Sequence, residues 1–158
     1  MLSSRAKYAV RAAIFLARRP RTSDWAQAAE IAEEEAIPRK FLELILVQLR
    51  DHGFVESRRG AQGGYRLLRD PDEISVADLI RVVDGPLALT PCASRTRFRP
   101  CSDCVDIRTC RLQPLMQRAR DAVAGVLENC SLEALATRRP TRKGPVAGNR
   151  TRGKVVAA

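Results

Sequence analysis

Aromatic residues, histidine and long apolar runs are all scarce in this sequence. Aromatic side chains make up only 4% of the 158 residues, so the core has to be built mainly from Leu, Ile, Val and Ala. No stretch approaches the roughly 20 consecutive apolar residues that span a bilayer, which argues against a membrane protein. The single histidine, His52, has no nucleophile beside it, and no carboxylate pair has a mechanistic setting. The sequence therefore gives no support to an enzyme.

The N-terminal segment, MLSSRAKYAVRAAIFLARRP, is basic and partly apolar. Charges at Arg5, Lys7 and Arg11 interrupt it, and no small-residue cleavage site follows an apolar stretch. We therefore interpret it as a helix of the mature protein rather than a signal peptide, and expect the protein to be cytoplasmic. The length predicts about one domain.

Positive charge is concentrated at the C-terminus. The net charge is +10, but residues 138–158 contain seven of the 28 basic residues and none of the 18 acidic ones. Before them, 21 basic residues stand against 18 acidic ones. The segment is interrupted by Gly and Pro and has no apolar period, so we predict a basic disordered tail. Such a tail can bind DNA phosphates without reading sequence, or only keep the protein in solution.

Apolar periodicity predicts three helices followed by a β-hairpin. The first helix starts with a cap at Ser3 or Ser4 and stops before Pro20, the second is AQAAEIAEEE, and the third is PRKFLELILVQLRDH, which ends at Gly53. The stretches FVESRR and YRLLR then read as two strands around the turn GAQGG. The predicted fold is mainly α with a small β-hairpin wing, in a winged helix-turn-helix over residues 1–84.

A second region, residues 85–137, contains a cysteine-rich loop and a longer helix. Ser75 is expected to cap a fourth helix, VADLIRVVDG, just before it. The long helix spans about residues 112–127, and its apolar stripe is wider than a lone terminal helix needs. Ser131 is expected to cap a final short helix, SLEALA.

The outer face of the third helix has side chains suited to the major groove. Arg39 and Lys40 can contact phosphates or guanine edges, and Glu43 can accept a hydrogen bond from cytosine N4. An exposed Leu44 or Val47 can touch a thymine methyl group. Because a recognition helix needs a polar, preferably basic, outer face, the pattern predicts DNA binding. Arg50 also belongs to the predicted DNA-binding set, because it lies off the stripe of the third helix that we expect to face inward: Leu42, Ile45, Leu46 and Leu49.

The wing adds three further DNA-binding candidates. Arg58 and Arg59 precede the flexible turn, and Gln62 lies within it. A basic hairpin directly after the third helix is placed to reach the minor groove or its flanking phosphates.

Four cysteines lie within 19 residues, in the pattern C-x8-C-x2-C-x5-C: Cys92, Cys101, Cys104 and Cys110. Three interpretations remain open for this loop: an iron–sulfur cluster, a structural zinc ion, or a metal-free thiol or disulfide switch. Five arginines surround the cysteines and are expected to favour the thiolate form under each interpretation: Arg95, Arg97, Arg99, Arg108 and Arg111. Cys130 stands apart and is interpreted as a small buried apolar residue.

The sequence resembles the winged-helix regulators that include the iron–sulfur and nitric-oxide sensors IscR, NsrR and RirA. The resemblance covers residues 1–137, and its most diagnostic run is LRDHGFVESRRGAQGGYRL. It implies a homodimer whose long C-terminal helices cross, and a regulator, a repressor in our interpretation, whose cluster sets affinity for double-stranded operator DNA. The positions that match the family's DNA readers are Lys40, Glu43 and Arg59. Leu44 stands where a polar reader can occur.

The resemblance also implies three cysteine ligands and a fourth ligand that is not cysteine. One version of the family uses a histidine three residues after the last cysteine, where this chain has Gln113. Another uses an aspartate of the partner's first helix, near the position of Lys7. Because neither is available, we hypothesise that the extra cysteine of the Cys101/Cys104 pair supplies the fourth ligand. The expected cofactor is then a [2Fe–2S] or [4Fe–4S] cluster held by the four loop cysteines, and zinc is less favoured.

Overall fold

The computed structural model describes residues 2–20 and 25–137. The predicted basic tail, residues 138–158, lies outside them. The main elements, in chain order, are α1 (Ser4–Ala17), α2 (Ala28–Glu34), α3 (Arg39–Asp51), β1 (Val55–Arg58), β2 (Gly64–Leu67), α4 (Val76–Asp84), α5 (Gln113–Glu128) and α6 (Leu132–Thr137). Short 3-10 turns occur at Pro71–Glu73, Pro91–Ala93 and Ile107–Thr109. Within the described ranges, every helix is too short or too polar to cross a bilayer.

Helix α1 lies at the centre of the domain. Its N-cap is Ser3, whose Oγ accepts a hydrogen bond of 3.0 Å from the amide of Ala6, as the sequence predicted. Its buried face consists largely of alanines, together with Phe15 and Leu16. Because small side chains allow close approach, α3, α4 and α6 all pack against this one helix.

The helix-turn-helix is formed by α2 and α3. The inward stripe predicted for α3 is confirmed, since its members are fully buried: Leu42, Ile45, Leu46 and Leu49. Helix α2 is shorter than the predicted stretch AQAAEIAEEE, and within it Ile31 is buried while Ala29 is exposed. Pro38 is the N-cap of α3 rather than its first helical residue. Ala36 in the turn has a φ of 47°, in the left-handed region.

The wing is a two-stranded antiparallel sheet in which Val55 pairs with Leu67 and Arg58 with Gly64. A single antiparallel bridge between Ala26 and Tyr65 joins the segment before α2 to β2. Its two hydrogen bonds run from the Ala26 amide to the Tyr65 carbonyl (3.0 Å) and from the Tyr65 amide to the Ala26 carbonyl (2.8 Å). The wing is therefore attached to the helix-turn-helix through β2.

The C-terminal region returns to the domain through α6. Ser75 Oγ accepts a hydrogen bond of 3.1 Å from the amide of Asp78, which confirms the predicted cap of α4. Leu132 of α6 is fully buried in the core. Helix α5, by contrast, has no fully buried residue along its 16 positions, and Leu115, Val123 and Val126 are exposed. Its apolar stripe is thus available for another surface.

Candidate nucleic-acid interface and cysteine loop

The outer face of α3 is exposed where the sequence predicted DNA contacts. Arg39 and Lys40 are exposed, and 61% of Leu44 is open to solvent. Glu43 is partly buried and forms an ion pair with Arg39, with 2.8 Å between Oε1 and Nε. This pair neutralises part of the charge at the start of the helix. At the other end of α3, Arg50 pairs with Asp51 at 2.7 Å.

The wing presents Arg58, Arg59 and Gln62, all exposed. Its turn is fixed by Gln27, whose Nε2 donates a hydrogen bond of 2.9 Å to the carbonyl of Ala61. This contact joins the loop before α2 directly to the tip of the wing.

A stacked pair supports the wing from below. The guanidinium of Arg66 lies 4.4 Å from the ring centroid of Trp25 and forms an ion pair with Glu56. Trp25 thus packs against β2. These two contacts stabilise the strands that carry the exposed arginines of the wing.

Two of the four loop cysteines are in contact. Cys101 donates a hydrogen bond from its thiol to the sulfur of Cys92, and the two Sγ atoms are 3.7 Å apart. Thr90 Oγ1 lies 3.3 Å from Cys92 Sγ. Cys92 is buried, whereas Cys101, Cys104 and Cys110 are partly exposed, and all five cysteines of the chain are free. Among the described residues, no three His, Cys, Asp or Glu side chains already converge in an arrangement that holds a metal ion.

At Cys101 and Cys104 the expected effect of the arginines on the thiol pKa is wrong. The hydrogen bond to Cys92, followed by burial, raises the pKa of Cys101. Burial, followed by the negative charge of Cys110 and Cys92, raises the pKa of Cys104. Two of the arginines are engaged elsewhere, since Arg95 pairs with Asp121 and Arg108 with Asp106. The thiol form is thus favoured at both positions.

The donor set nevertheless fits an iron–sulfur cluster or a zinc ion. Thiolates are the ligands that both prefer. Two thiolates on one tetrahedral metal ion, with bonds of about 2.3 Å, stand about 3.8 Å apart, which matches the Cys92–Cys101 separation. Cys104 and Cys110 lie on the same loop and are partly exposed.

Helix α5 contacts the start of the cysteine loop through two side chains that the sequence did not single out for this role. Gln113 Nε2 donates a hydrogen bond of 3.2 Å to the carbonyl of Cys92, and Arg120 Nη1 donates one to the carbonyl of Ala93. Gln113 was noted only as a replacement for a histidine. Nothing in the periodicity of α5 indicates either contact, because both depend on where the loop returns to the helix.

Of the remaining candidates, His52 lies at the C-cap of α3, where Nδ1 is 2.8 Å from the carbonyl of Gln48. The imidazole thus interacts with the C-terminal end of α3. Cys130 is partly buried and packs against the small apolar cluster of Ala6, Val76 and Ile80.

Three packed helices, a hairpin directly after the third, and exposed basic side chains on both define a winged-helix DNA-binding protein. The family described as Rrf2, an iron-dependent transcriptional regulator, matches residues 2–138. The chain belongs to this family, which confirms the resemblance found in the sequence. It is accordingly a DNA-binding transcriptional regulator, and not an enzyme.

Individual relatives agree with this assignment. The chain is 39% identical over 147 residues to a putative rrf2-like HTH-type transcriptional regulator of Rhodobacter capsulatus, covering 90% of this chain and 97% of the relative. It is 34% identical over 134 residues to the transcriptional regulator IscR of Photorhabdus laumondii, covering 85% and 77%. The solved structure of CymR, the global cysteine regulator of B. subtilis, superposes with a TM-score of 0.68 at 32% identity, covering 86% of this chain and 95% of that one.

Proposed function

We propose that the protein regulates transcription as a homodimer, as a repressor in the leading interpretation, and that an iron–sulfur cluster held by Cys92, Cys101, Cys104 and Cys110 sets its affinity for an operator. The observation that carries the proposal is the contact between Cys92 and Cys101 inside a loop with two further thiols. The description of the family as iron-dependent supports it. The cluster, [2Fe–2S] or [4Fe–4S], would supply a centre whose loss or change of oxidation state alters the loop.

In the proposal, all four ligands are thiols of one loop, whereas the family resemblance implies three cysteines and a fourth ligand of another kind. Gln113 occupies the place of a possible histidine ligand and uses its amide on the Cys92 carbonyl instead. Lys7 is an exposed cation on α1 and is not a metal ligand when charged. Cys101 lies beside Cys92 and is the natural fourth donor.

The proposed dimer uses α5. Two of its exposed apolar residues, Leu115 and Val126, lie opposite the face that meets the domain, whereas Val123 lies beside that face. Val126→Asp should lower the dimer fraction in sedimentation experiments, because it introduces a charge into an apolar interface. Arg118→Asp, another exposed position on the same helix, is the control and should remain dimeric. Equal behaviour of both variants would contradict the use of this face.

In the proposed complex, α3 enters the major groove and the wing reaches the minor groove or its edges. Lys40, Glu43 and Leu44 contact base edges. A second group contacts phosphates and the wing's groove: Arg39, Arg50, Arg58, Arg59 and Gln62. Because Arg39 and Arg50 already have carboxylate partners, their contribution to affinity is smaller than that of Lys40 and Arg59.

The regulatory step is a shift between two arrangements of the loop and α5 that differ in how two recognition helices fit successive major grooves. A coupling of about 1–3 kcal/mol gives a 5–150-fold change in affinity. The contacts of the chain hold the loop on α5 and hold the wing on the helix-turn-helix. Movement of α5 therefore alters the spacing between the two recognition helices of the dimer.

Anaerobic purification of the full chain, with a visible spectrum and iron, sulfide and zinc analysis on one sample, tests the cofactor. Matched iron and sulfide are expected. Serine replacement of each loop cysteine should lower the iron content, while Cys130→Ser is the control and should keep it. One zinc per chain without sulfide would make the loop a structural zinc site, and iron uptake that no single loop replacement lowers would contradict the four-thiol ligand set.

A second candidate, a metal-free thiol switch, is favoured by the same 3.7 Å contact. In the unloaded protein, one molecule of hydrogen peroxide can take two electrons and both thiol protons from Cys92 and Cys101, leaving a disulfide and two molecules of water. A non-reducing peptide map should then show the Cys92–Cys101 link and its loss in Cys101→Ser. Links confined to Cys104 and Cys110 would contradict this candidate.

A further inference from the structure

The start of the cysteine loop is anchored, while the stretch that follows it is open. Cys92 is 5% exposed, and Ala93 and Ser94 are also buried. Residues 95–100 are all exposed. The turn Pro91–Ala93 is therefore the fixed point from which the rest of the loop extends.

Helix α5 supplies the anchor. Gln113 and Arg120 are seven residues apart, about two turns, and so lie on one face of the helix. They donate hydrogen bonds to consecutive carbonyls of the turn, those of Cys92 and Ala93. Each carbonyl would otherwise be an unpaired acceptor next to a buried turn.

Arg120 is itself held in place. Only 12% of its side chain is exposed, and it forms an ion pair of 2.6 Å with Asp121. A largely buried guanidinium needs such a partner. Asp121 also pairs with Arg95 at 2.8 Å, on the far side of the turn from Pro91. One carboxylate thus joins Arg120 to the residue where the loop becomes exposed.

The other end of the cysteine segment is fixed to the same helix by the chain itself. Cys110 lies three residues before Gln113, the first residue of α5. The first and last cysteines are consequently both positioned by the first two turns of α5.

We propose that Arg120 is a positioning residue that holds the Cys92 turn on α5 and thereby couples the state of the cysteine loop to the position of that helix. The positional part stands on the contacts alone. The effect on DNA affinity rests on the proposed function, and two separate measurements test the two parts.

The first measurement uses the reduced, metal-free full chain. The rate of alkylation of Cys92 by iodoacetamide, followed by peptide mass spectrometry, reports how well the turn is held. In Arg120→Gln the rate should rise about tenfold, since a hydrogen bond from a charged donor is lost. Arg118→Gln, an exposed arginine on the same helix, should leave the rate unchanged, and Arg120→Lys should give partial protection because it retains a cation.

Gln113→Ala guards against an Arg120 variant that fails to fold. It removes only the bond to the Cys92 carbonyl and should raise Cys92 alkylation severalfold. Unchanged Cys92 alkylation in folded Arg120→Gln overturns the role of Arg120, and unchanged alkylation in Gln113→Ala overturns the anchoring of the turn on α5.

The second measurement compares operator affinity of iron-loaded and metal-free protein. In Arg120→Gln the ratio between the two should fall toward one, while the affinity of the metal-free form stays as in the parent chain. If Arg120 only stabilises the fold, both affinities should fall together. That result would overturn the proposed coupling. If the parent chain binds no iron, the proposed function is contradicted. The alkylation rates then still test whether Arg120 positions the Cys92 turn.

Discussion

Gly64 lies directly against the backbone of Ala26. A Cβ atom at position 64 would stand 2.4 Å from the Ala26 carbonyl oxygen, and the residue has a φ of 153°. The bridge between Ala26 and Tyr65 depends on this close approach. The wing can join the helix-turn-helix here only because position 64 has no side chain.

Gly64→Ala should therefore detach the wing from the segment before α2. We expect a loss of stability of about 2–4 kcal/mol, from the clash and the strained backbone together, and weaker DNA binding. Thermal unfolding and operator titration measure the two effects. Gly60→Ala is the control, because it also has a positive φ but has open space around its Cβ position; equal losses in both variants would show that backbone strain alone is responsible.

Arg59→Ala should weaken operator binding and reduce the slope of log affinity against log salt concentration by about one, because one phosphate contact is removed. Titrations at several salt concentrations measure the slope. Arg118→Ala, distant from the wing on α5, provides the reference and should not change it. An unaltered slope in Arg59→Ala would mean that the wing arginine is not at the phosphates.

Leu44→Gln should alter base preference rather than charge-driven affinity. An exposed leucine can favour a thymine methyl group, whereas glutamine pairs with adenine, and the discrimination at one base pair is about 1–3 kcal/mol. Selection of binding sites from a random DNA pool, compared for the two proteins, measures it. The same preferred site for both would contradict a reading role for this position.

Ala36→Gly should stabilise the domain. Ala36 has a φ of 47°, which costs a residue with a Cβ atom about 1–2 kcal/mol and costs glycine little. After the entropy of glycine is subtracted, a gain of up to about 1 kcal/mol is expected in chemical unfolding. Ala29→Gly, at an exposed position in the first turn of α2, should instead lose up to about 1 kcal/mol. A loss in both would argue against the left-handed turn.

Elements with a strong local signal were predictable from the sequence. The stripe Leu42, Ile45, Leu46 and Leu49, the cap at Ser75 and the stop at Gly53 each depend on neighbours within one or two helical turns, and the structure has all three. The family's wing signature added the order of the elements.

Features that depend on distant segments were not predictable in the same way. Ala29 has the spacing of an inward residue, but the short α2 turns that position to solvent. The charge around the cysteines suggested easily ionised thiols, yet the arginines Arg95 and Arg108 are paired with carboxylates. The bonds from Gln113 and Arg120 join residues 21 and 27 positions away, where no local pattern reaches.

The bridge between Ala26 and Tyr65 and the bond from Gln27 to Ala61 affect the number of base pairs that one chain contacts. They hold the wing against the segment before α2, and α2 packs against α3, so one copy spans a constant number of base pairs whatever the condition of the cysteine loop. Regulation then changes only the separation of two such fixed spans. Operators for the active and inactive forms should accordingly share identical half-sites and differ, if at all, in the tolerated spacer between them.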